Sequence, residues 1–220
     1  MKTRLLLKML ALAALAALPL QLVSAKSDDA ASQVSPHAVY AGLGPSFVPG
    51  VYVNDAYMSM GSIKRGLGFT AGYEYSVPTS HWSFGVNYVF HQSGGVAKYY
   101  PEPTTVSLPI DFYVHNITPV IGGHWEWGKH ALRLSGGVGY MYSIAVAELR
   151  LSGVGVLEED EEEDGVSLYL SLEYEYRFSP KMGLFVRAYD MECYDEYDGT
   201  EGEWEGIVGY GVSAGFKWHF

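Results

Sequence analysis

Cysteine is almost absent from this sequence, and long apolar runs are scarce. Cys193 is the only cysteine in 220 residues, so the chain can form no internal disulfide, and we expect an incidental thiol in a loop. After the N-terminal segment, no apolar stretch reaches the ~20 residues that a membrane-spanning helix needs. A mature chain in a membrane must therefore cross it as β-strands.

Basic charge and cofactor motifs are also scarce. The chain has 14 lysines and arginines against 25 acidic residues, a formal net charge of −11, which disfavours nucleic acid as a partner. No glycine-rich phosphate loop opens a helix, and no Cys/His spacing fits zinc. The sequence therefore predicts no cofactor and no defined metal site.

The first 25 residues are typical of a cleaved secretory signal peptide. A basic start is followed by an apolar stretch from Met9 to Leu20 and by small residues up to Ala25. An uncleaved anchor is the alternative, but the apolar stretch is shorter than a spanning helix. We predict a signal peptide at 1–25, a short linker at 26–36 and one domain at 37–220.

Apolar and polar residues alternate with a period of two from residue 37 onward, and turn residues divide the pattern into eight stretches. Their approximate bounds are 37–47, 64–76, 82–91, 116–127, 131–144, 166–177, 182–190 and 207–220. Three connections are short ("VPTSH", "GKH" and "FSPKM"), and they alternate with four long ones. This alternation predicts an up-and-down meander with two unlike ends.

Each stretch has one apolar face and one face of glycine, serine and charged residues. In 82–91 the apolar face carries Trp82, Phe84, Val86, Tyr88 and Phe90. A soluble ligand-binding barrel would turn that face inward. Aromatic residues collect at two heights of it, however, as in the girdles of a lipid-facing wall. We therefore predict an all-β fold, an eight-stranded antiparallel up-and-down transmembrane β-barrel.

The opposite face then fills the lumen. Unpaired buried charges are costly, so we predict a plugged core held by a lumen ion-pair network of Glu74, Glu126, Arg133, Glu173, Glu175, Arg177, Arg187 and Lys217. His124 and His219 lie on the same face. Pro119 does not fit, because it cannot donate a ladder hydrogen bond. We expect a bulge there or a strand that starts later.

The end of the sequence resembles the C-terminal signal of small eight-stranded outer-membrane barrels of Gram-negative bacteria, the OmpA/OmpX-type group. In "AGFKWHF", Gly215, Trp218 and Phe220 occupy the glycine, hydrophobic and terminal aromatic places of that signal, while Ala214 departs from its polar first place. The resemblance implies recognition by the barrel-assembly machinery and an integral outer-membrane location among lipid and lipopolysaccharide. It also implies that the linker and both termini are periplasmic.

Acidic residues are concentrated in two of the long links, and seven are consecutive: Glu158, Glu159, Asp160, Glu161, Glu162, Glu163 and Asp164. A solvated charge run is one interpretation. The other is a loop that binds divalent cations or an extracellular protein partner. The flanking 143–157 stretch also alternates, which would extend two strands beyond the membrane and offer an edge to a partner strand. A packed hairpin without a partner is the alternative.

Two His-x-Ser pairs, His81 with Ser83 and His91 with Ser93, resemble the pair of outer-membrane lipid A deacylases. Neither has an obvious carboxylate to orient its histidine, which a catalytic hydroxyl needs. We therefore predict a non-enzymatic barrel with a plugged polar lumen, long acidic extracellular loops and a surface, structural or adhesion role. A narrow channel for small solutes or ions is the first alternative, and a lipid-active enzyme is the second.

Overall fold

The computed structural model describes residues 34–51, 58–60, 66–99, 106–151, 155–194 and 207–220. They form nine β-strands: β1 His37–Val51, β2 Met58–Met60, β3 Gly66–Ser76, β4 Trp82–Tyr99, β5 Val106–Trp127, β6 His130–Leu151, β7 Gly155–Ser179, β8 Met182–Tyr194 and β9 Ile207–His219. This part of the chain contains no helix long and apolar enough to cross a membrane. The predicted signal peptide and most of the linker lie outside the described residues.

Eight of these strands close into an antiparallel barrel, which confirms the predicted fold class. Apart from β2, each strand pairs with its neighbours in chain order, and β1 closes the barrel by pairing with β9. β2 is a short segment that pairs with the last residues of β4. An up-and-down order of this kind leaves no unpaired edge around the closed barrel wall.

The two ends of the barrel differ, as the alternating link lengths predicted. At the turn end, short turns at 77–81, 128–129 and 180–181 join the strands, and β1 begins and β9 ends there. Gly128 has a φ of 60°, which glycine adopts without strain. The opposite end, which we call the hairpin end, carries the extended β4–β5 and β6–β7 hairpins.

The prediction of long loops at the hairpin end is wrong for many of the residues concerned. β4 and β5 stay paired as far as Tyr99 and Val106, and β6 and β7 as far as Leu151 and Gly155. Residues 92–99, 106–115, 145–151 and 155–165 are therefore strand. Each strand of a hairpin satisfies the other's backbone groups, and this outweighs the low strand propensity of glycine and acidic residues.

The consecutive acidic residues accordingly lie in a strand and not in the loop that we predicted. Residues 158–164 belong to β7 and pair with 142–148 of β6. We call 142–151 together with 155–164 the ribbon, because this part of the hairpin extends past the last β7–β8 pair, Val166 with Tyr194.

Pro119 and Cys193 also differ from expectation. β5 begins before Pro119, not after it, and has no bulge there: Pro119 pairs with Val86 of β4, and the register with β6 is the same on either side of the interrupted pairs at 118–120. The pairing with β4 continues through Pro119. The N–H that proline lacks removes ladder hydrogen bonds only on the side that faces β6. Cys193 is not in a loop but in β8, where it is buried.

The outer wall of the barrel is apolar, as predicted. The exposed large hydrophobic residues come from every long strand and include Val39, Leu67, Phe84, Ile117, Val138, Leu172, Val186 and Phe216. A soluble monomer rarely exposes a contiguous apolar surface of this extent. The wall therefore fits a hydrocarbon environment, and the soluble-barrel alternative does not hold.

Histidines join the aromatic girdle at the turn end. His37 Nδ1 lies 2.7 Å from the Tyr73 hydroxyl, and His130 Nδ1 lies 2.7 Å from the Tyr174 hydroxyl. Each imidazole also packs against a second tyrosine ring of the neighbouring strand. Rings with one polar edge are suited to the boundary between hydrocarbon and water.

Candidate functional site in the barrel lumen

Inward side chains form two layers. The charged layer lies nearer the turn end and consists of the eight predicted network residues and His219. The apolar layer lies nearer the hairpin end and consists of Val48, Val89, Phe112, Val114, Met141, Tyr169, Tyr189, Met191 and Cys193. An eight-stranded barrel is only wide enough for side chains to fill, and these two sets occupy it together with other buried residues such as Asn87 and His91.

Glu173 of β7 is the centre of the charged layer. Its carboxylate accepts hydrogen bonds from Lys217 Nζ, from Arg187 Nε at 2.9 Å and from Arg133 Nη1 at 3.1 Å. These three bases come from β9, β8 and β6, and Glu173 is only 1% exposed. One buried carboxylate therefore links four strands.

Glu74 of β3 is bound by the same three bases from the other side of the lumen. Its Oε1 accepts from Arg187 Nη2 at 2.9 Å, and its Oε2 accepts from Lys217 Nζ at 2.6 Å. Arg133 Nε lies 3.4 Å from Oε2. The three bases are thus held between two carboxylates, and this arrangement spans the barrel interior.

Glu175 carries the layer on towards the turn end. It accepts hydrogen bonds from Arg133 Nη1 at 2.8 Å, Arg177 Nε at 3.2 Å and His219 Nε2 at 2.7 Å. Arg177 also donates to Glu126 at 2.5 Å, and the Glu126 side chain is 40% exposed. All eight predicted residues are thereby joined in one cluster, with Glu126 at its solvent-facing edge.

The cluster is balanced in charge. Four carboxylates face three arginines and one lysine, so the formal charge is zero without His219. Buried charges that are paired and hydrogen-bonded avoid most of the penalty of isolated ones. The arrangement can hold strands together, but it offers no unpaired charge to a passing ion.

Aromatic side chains that the sequence alternation did not reveal cap this cluster. The Arg187 guanidinium lies 4.0 Å from the centre of the Tyr40 ring, and Arg187 and Tyr40 both donate to Asn87 Oδ1. Phe185 packs edge-on against Tyr40. Glycines on neighbouring strands were the sequence signal for these inward aromatic side chains, because they leave room for them. A Cβ at Gly72 would lie 2.3 Å from the Tyr40 hydroxyl.

The apolar layer was also missed, and Tyr189 connects it to His91. The Tyr189 hydroxyl lies 2.7 Å from His91 Nε2, and its ring stacks on Tyr169. A Cβ at Gly68 or Gly211 would come within 2.7 or 2.5 Å of that hydroxyl. These inward glycines give a large lumen side chain its space.

The two His-x-Ser pairs do not assemble a catalytic group. Ser83 and Ser93 are both buried on the lumen side, away from the apolar outer wall. His81 Nδ1 faces the carbonyl oxygen of His124, and Ser93 Oγ has no hydrogen-bond partner among the described residues. His124 Nδ1 likewise lacks a partner in that part of the chain.

The residues of the predicted assembly signal lie in β9 and directly after it, and they face two ways. Gly215 is packed against β1, where a Cβ would come within 1.9 Å of the Ala41 carbonyl oxygen. Trp218 and Phe220 are exposed on the outer wall. Phe220 stacks on His37 and donates its backbone N–H to the His37 carbonyl.

Two side chains of the predicted acidic cation site, Glu162 and Asp164, belong to the described part of the chain. Glu162 and Asp164 are exposed, and Asp164 Oδ2 accepts a 2.8 Å hydrogen bond from the Tyr140 hydroxyl. The side chains of Glu158, Glu159, Asp160, Glu161 and Glu163 lie outside the described residues. Among the side chains that are described, no group of three or more His, Cys, Asp or Glu is placed to hold a metal ion.

Solved structures of other proteins share this fold. The structure resembles Neisserial surface protein A (NspA), with a TM-score of 0.51, 14% identity and coverage of 84% of this chain and 98% of that one. It also resembles the outer membrane protein OprG from Pseudomonas aeruginosa, with a TM-score of 0.53, 10% identity and coverage of 86% and 97%. At such identities the likeness shows the fold alone.

A search of curated protein sequences gives no match. The family model described as outer membrane protein beta-barrel domain matches residues 10–220, nearly the whole sequence. The closed barrel and its apolar outer wall agree with that match. The chain therefore belongs to the outer membrane protein β-barrel family and is an integral outer-membrane protein.

Proposed function

We propose that this protein is a non-enzymatic, non-conducting barrel whose lumen is a structural plug and whose function lies in the surface segments at its hairpin end. The observation that carries the proposal is the charge-balanced cluster around Glu173 and Glu74. The proposed orientation puts the turn end in the periplasm and the ribbon outside the cell. The barrel-assembly machinery would recognise the chain through Gly215, Trp218 and Phe220.

The charged layer is a poor path for ions. A permeating ion would have to displace at least one of the contacts between Glu173 and its three bases, none of which is solvated. Breaking one partner out of a buried pair costs about 3–5 kcal/mol. The apolar layer adds a second barrier, because its buried Val, Met and Phe side chains offer a desolvated ion no charge and little hydrogen bonding in place of water.

The ribbon is the chemically distinctive surface. Its β7 strand carries seven consecutive acids, whereas the facing residues 142–148 of β6 contain no base. The only basic residue in the ribbon is Arg150, which pairs with Val156. Negative charge without a cation on the facing strand attracts cationic partners over a Debye length. We therefore place adhesion or partner binding at the ribbon, with positively charged protein segments or divalent cations as its ligands.

Planar-bilayer recording of the folded protein tests the plug. We expect no discrete openings, because both lumen layers are filled. Reproducible single-channel openings would favour a narrow channel and overturn the proposal. Folding is verified by the difference in gel mobility between unboiled and boiled samples.

Thiol accessibility gives a second test of the plug, and its result is a measured reaction rate instead of an absence of channel current. Cys193 is 6% exposed in the lumen, so a charged, water-soluble thiol reagent should react with it slowly until the barrel is unfolded in urea. The matched control moves the thiol to an exposed position of β5 in a double variant, Cys193→Ser with Asp111→Cys. This control should react quickly in the folded state. Equal rates for the two folded proteins would mean a water-filled lumen.

A further inference from the structure

Three histidines on the outer wall are held in the same way. Each one packs against an aromatic residue directly opposite it on the neighbouring strand, and its Nδ1 lies 2.7 or 2.8 Å from the hydroxyl of a tyrosine two residues before that aromatic. The three sets are His37 with Tyr75 and Tyr73, His115 with Phe90 and Tyr88, and His130 with Tyr176 and Tyr174. Residues two apart on a strand share a face, so one imidazole reaches both rings.

The hydrogen bond to tyrosine determines what each imidazole can offer to its surroundings. A tyrosine hydroxyl that donates to Nδ1 fixes the neutral tautomer that carries its N–H on Nε2. The three histidines are half-buried, so this N–H can meet a group outside the protein. An N–H without an acceptor is costly in hydrocarbon, whereas the headgroup layer of a membrane supplies phosphate oxygens. The surroundings of each set therefore decide what it binds.

The His130 set lies at the turn end beside an exposed lysine. His130 directly follows Lys129, the last residue of the β5–β6 turn, and Lys129 is exposed. On the other side of this turn, Trp127 is 48% exposed and stacks on His130, with 6.0 Å between the ring centroids and 17° between the planes. Glu126, the nearest acid along the chain, instead pairs with Arg177 in the lumen cluster. This turn therefore places one positive charge and one N–H donor at the edge of the apolar wall.

We propose that the His130 set binds the headgroup phosphate of an anionic phospholipid. Lys129 supplies the opposite charge, and His130 Nε2 donates a hydrogen bond to a phosphate oxygen. The lysine side chain is flexible enough to follow the headgroup. Exposed Trp127 and Leu172 give the acyl chains an apolar surface that a free phosphate would leave uncovered. The site is separate from the surface function proposed for the ribbon and does not depend on which compartment the turn end faces.

The His115 set has the same geometry with the opposite charge around it. Asp111 is exposed on the same face of β5, and Asp164 pairs with Tyr142, the residue opposite His115 on β6. Carboxylates near the imidazole repel a phosphate group, so we expect no anionic lipid at His115. The His37 set has no lysine next to it along the chain, and the proposal therefore concerns the His130 set alone.

Imidazole signals of the folded, full-length chain test the site. Protein with ¹⁵N-labelled histidine is refolded in micelles of an uncharged detergent and titrated with short-chain phosphatidylglycerol, phosphatidylcholine or inorganic phosphate. We expect a saturable shift of the His130 Nε2 signal and none at His115. Phosphatidylglycerol should bind about fivefold more tightly than phosphatidylcholine, the usual effect of one lysine near an anionic headgroup, and free phosphate more weakly than either lipid. An unshifted His130 signal, equal shifts at His115, or equal affinity for the two lipids or for free phosphate would overturn the proposal.

Conservative variants show whether these residues act as one site. Lys129→Gln should remove most of the preference for phosphatidylglycerol, whereas Lys181→Gln, which neutralises the exposed lysine of the β7–β8 turn, should keep it. Tyr174→Phe retains the ring but removes the hydroxyl. We expect the ¹⁵N signals of His130 to report a changed tautomer in this variant and lipid affinity to fall about fivefold, the usual effect of losing one hydrogen bond. The gel mobility of unboiled samples verifies folding. Equal losses in Lys129→Gln and Lys181→Gln would attribute the preference to overall charge, and an unchanged preference in Lys129→Gln would also contradict the site.

Discussion

At the scale of single residues, the contribution of each carboxylate to the stability of the plug depends on how many bases it contacts. Glu173 contacts three buried bases, whereas Glu126 pairs with Arg177 and is partly exposed. Removing a carboxylate from a buried network leaves charges without compensation, which costs more than the intact pair ever contributed. An exposed pair has little effect either way, because water replaces the lost partner.

Glu173→Gln and Glu126→Gln therefore form a matched pair of variants. We expect the first to lower the free energy of unfolding by about 3–5 kcal/mol and the second by about 1 kcal/mol or less. Urea unfolding of lipid-embedded barrels, followed by tryptophan fluorescence and gel mobility, measures both. Equal effects of the two substitutions would mean that the lumen is hydrated and that Glu173 is not its centre.

The membership of the charged layer was predictable, and its contacts were not. Period-two alternation fixes which side of a strand each residue faces, and it placed Glu74, Glu173 and Lys217 on one face without any knowledge of pairing. Which base meets which acid depends on strand tilt and register across the lumen, which no local pattern contains. Tyr40 and Phe185 were missed because aromatic residues were assigned to the girdles of the outer wall.

At the scale of strands, the turn end was predicted more closely than the hairpin end. The three short turns carry proline, glycine and serine signals of their own, so strand ends there agree to within a few residues. At the hairpin end, "HQSGG" and the acidic run interrupt the alternation, although the strands continue through both. Pairing with a partner strand, not local propensity, decides the length of a hairpin.

The ribbon prediction belongs to this scale. Neutralising six acids, Glu158, Glu159, Asp160, Glu161, Glu162 and Glu163, to amides should slow association with a lysine-rich peptide by about tenfold or more at low salt, because electrostatic steering is lost. Asp164 is kept, since it accepts the Tyr140 hydrogen bond. Stopped-flow fluorescence of a labelled peptide gives the rate.

A second variant of the same net charge serves as the control for the ribbon. It neutralises the six acids between residues 195 and 205, which are Asp195, Glu196, Asp198, Glu201, Glu203 and Glu205. If the ribbon is the binding surface, this variant should keep most of the parent rate. Equal slowing in the two variants would attribute the attraction to total charge and contradict a site on the ribbon.

At the scale of the whole molecule, charge is sorted by environment. The outer wall is apolar, the charged layer is neutral as a group, and the longest acidic stretches of the sequence are the ribbon and 190–205. The fold class and the outward direction of the apolar face could be predicted, because both follow from alternation and from where aromatic residues collect. The division of the lumen into two layers could not, because alternation gives the face of a residue such as Met141 or Tyr169 but not the height at which it meets residues of other strands, which depends on register and strand tilt.

The predicted role of Phe220 in the assembly signal concerns how the whole molecule enters the outer membrane. Phe220 is 57% exposed and makes few contacts beyond His37 and Trp218, so Phe220→Ala should change the stability of refolded barrel by about 1 kcal/mol or less. If Phe220 is part of the assembly signal, the same variant should be several-fold depleted from outer membranes, as quantified by immunoblot. Phe178→Ala is the control, because Phe178 is another exposed aromatic residue near the turn end. Normal membrane levels of Phe220→Ala, or equal depletion of both variants, would contradict a recognition role and leave Phe220 as one more girdle aromatic.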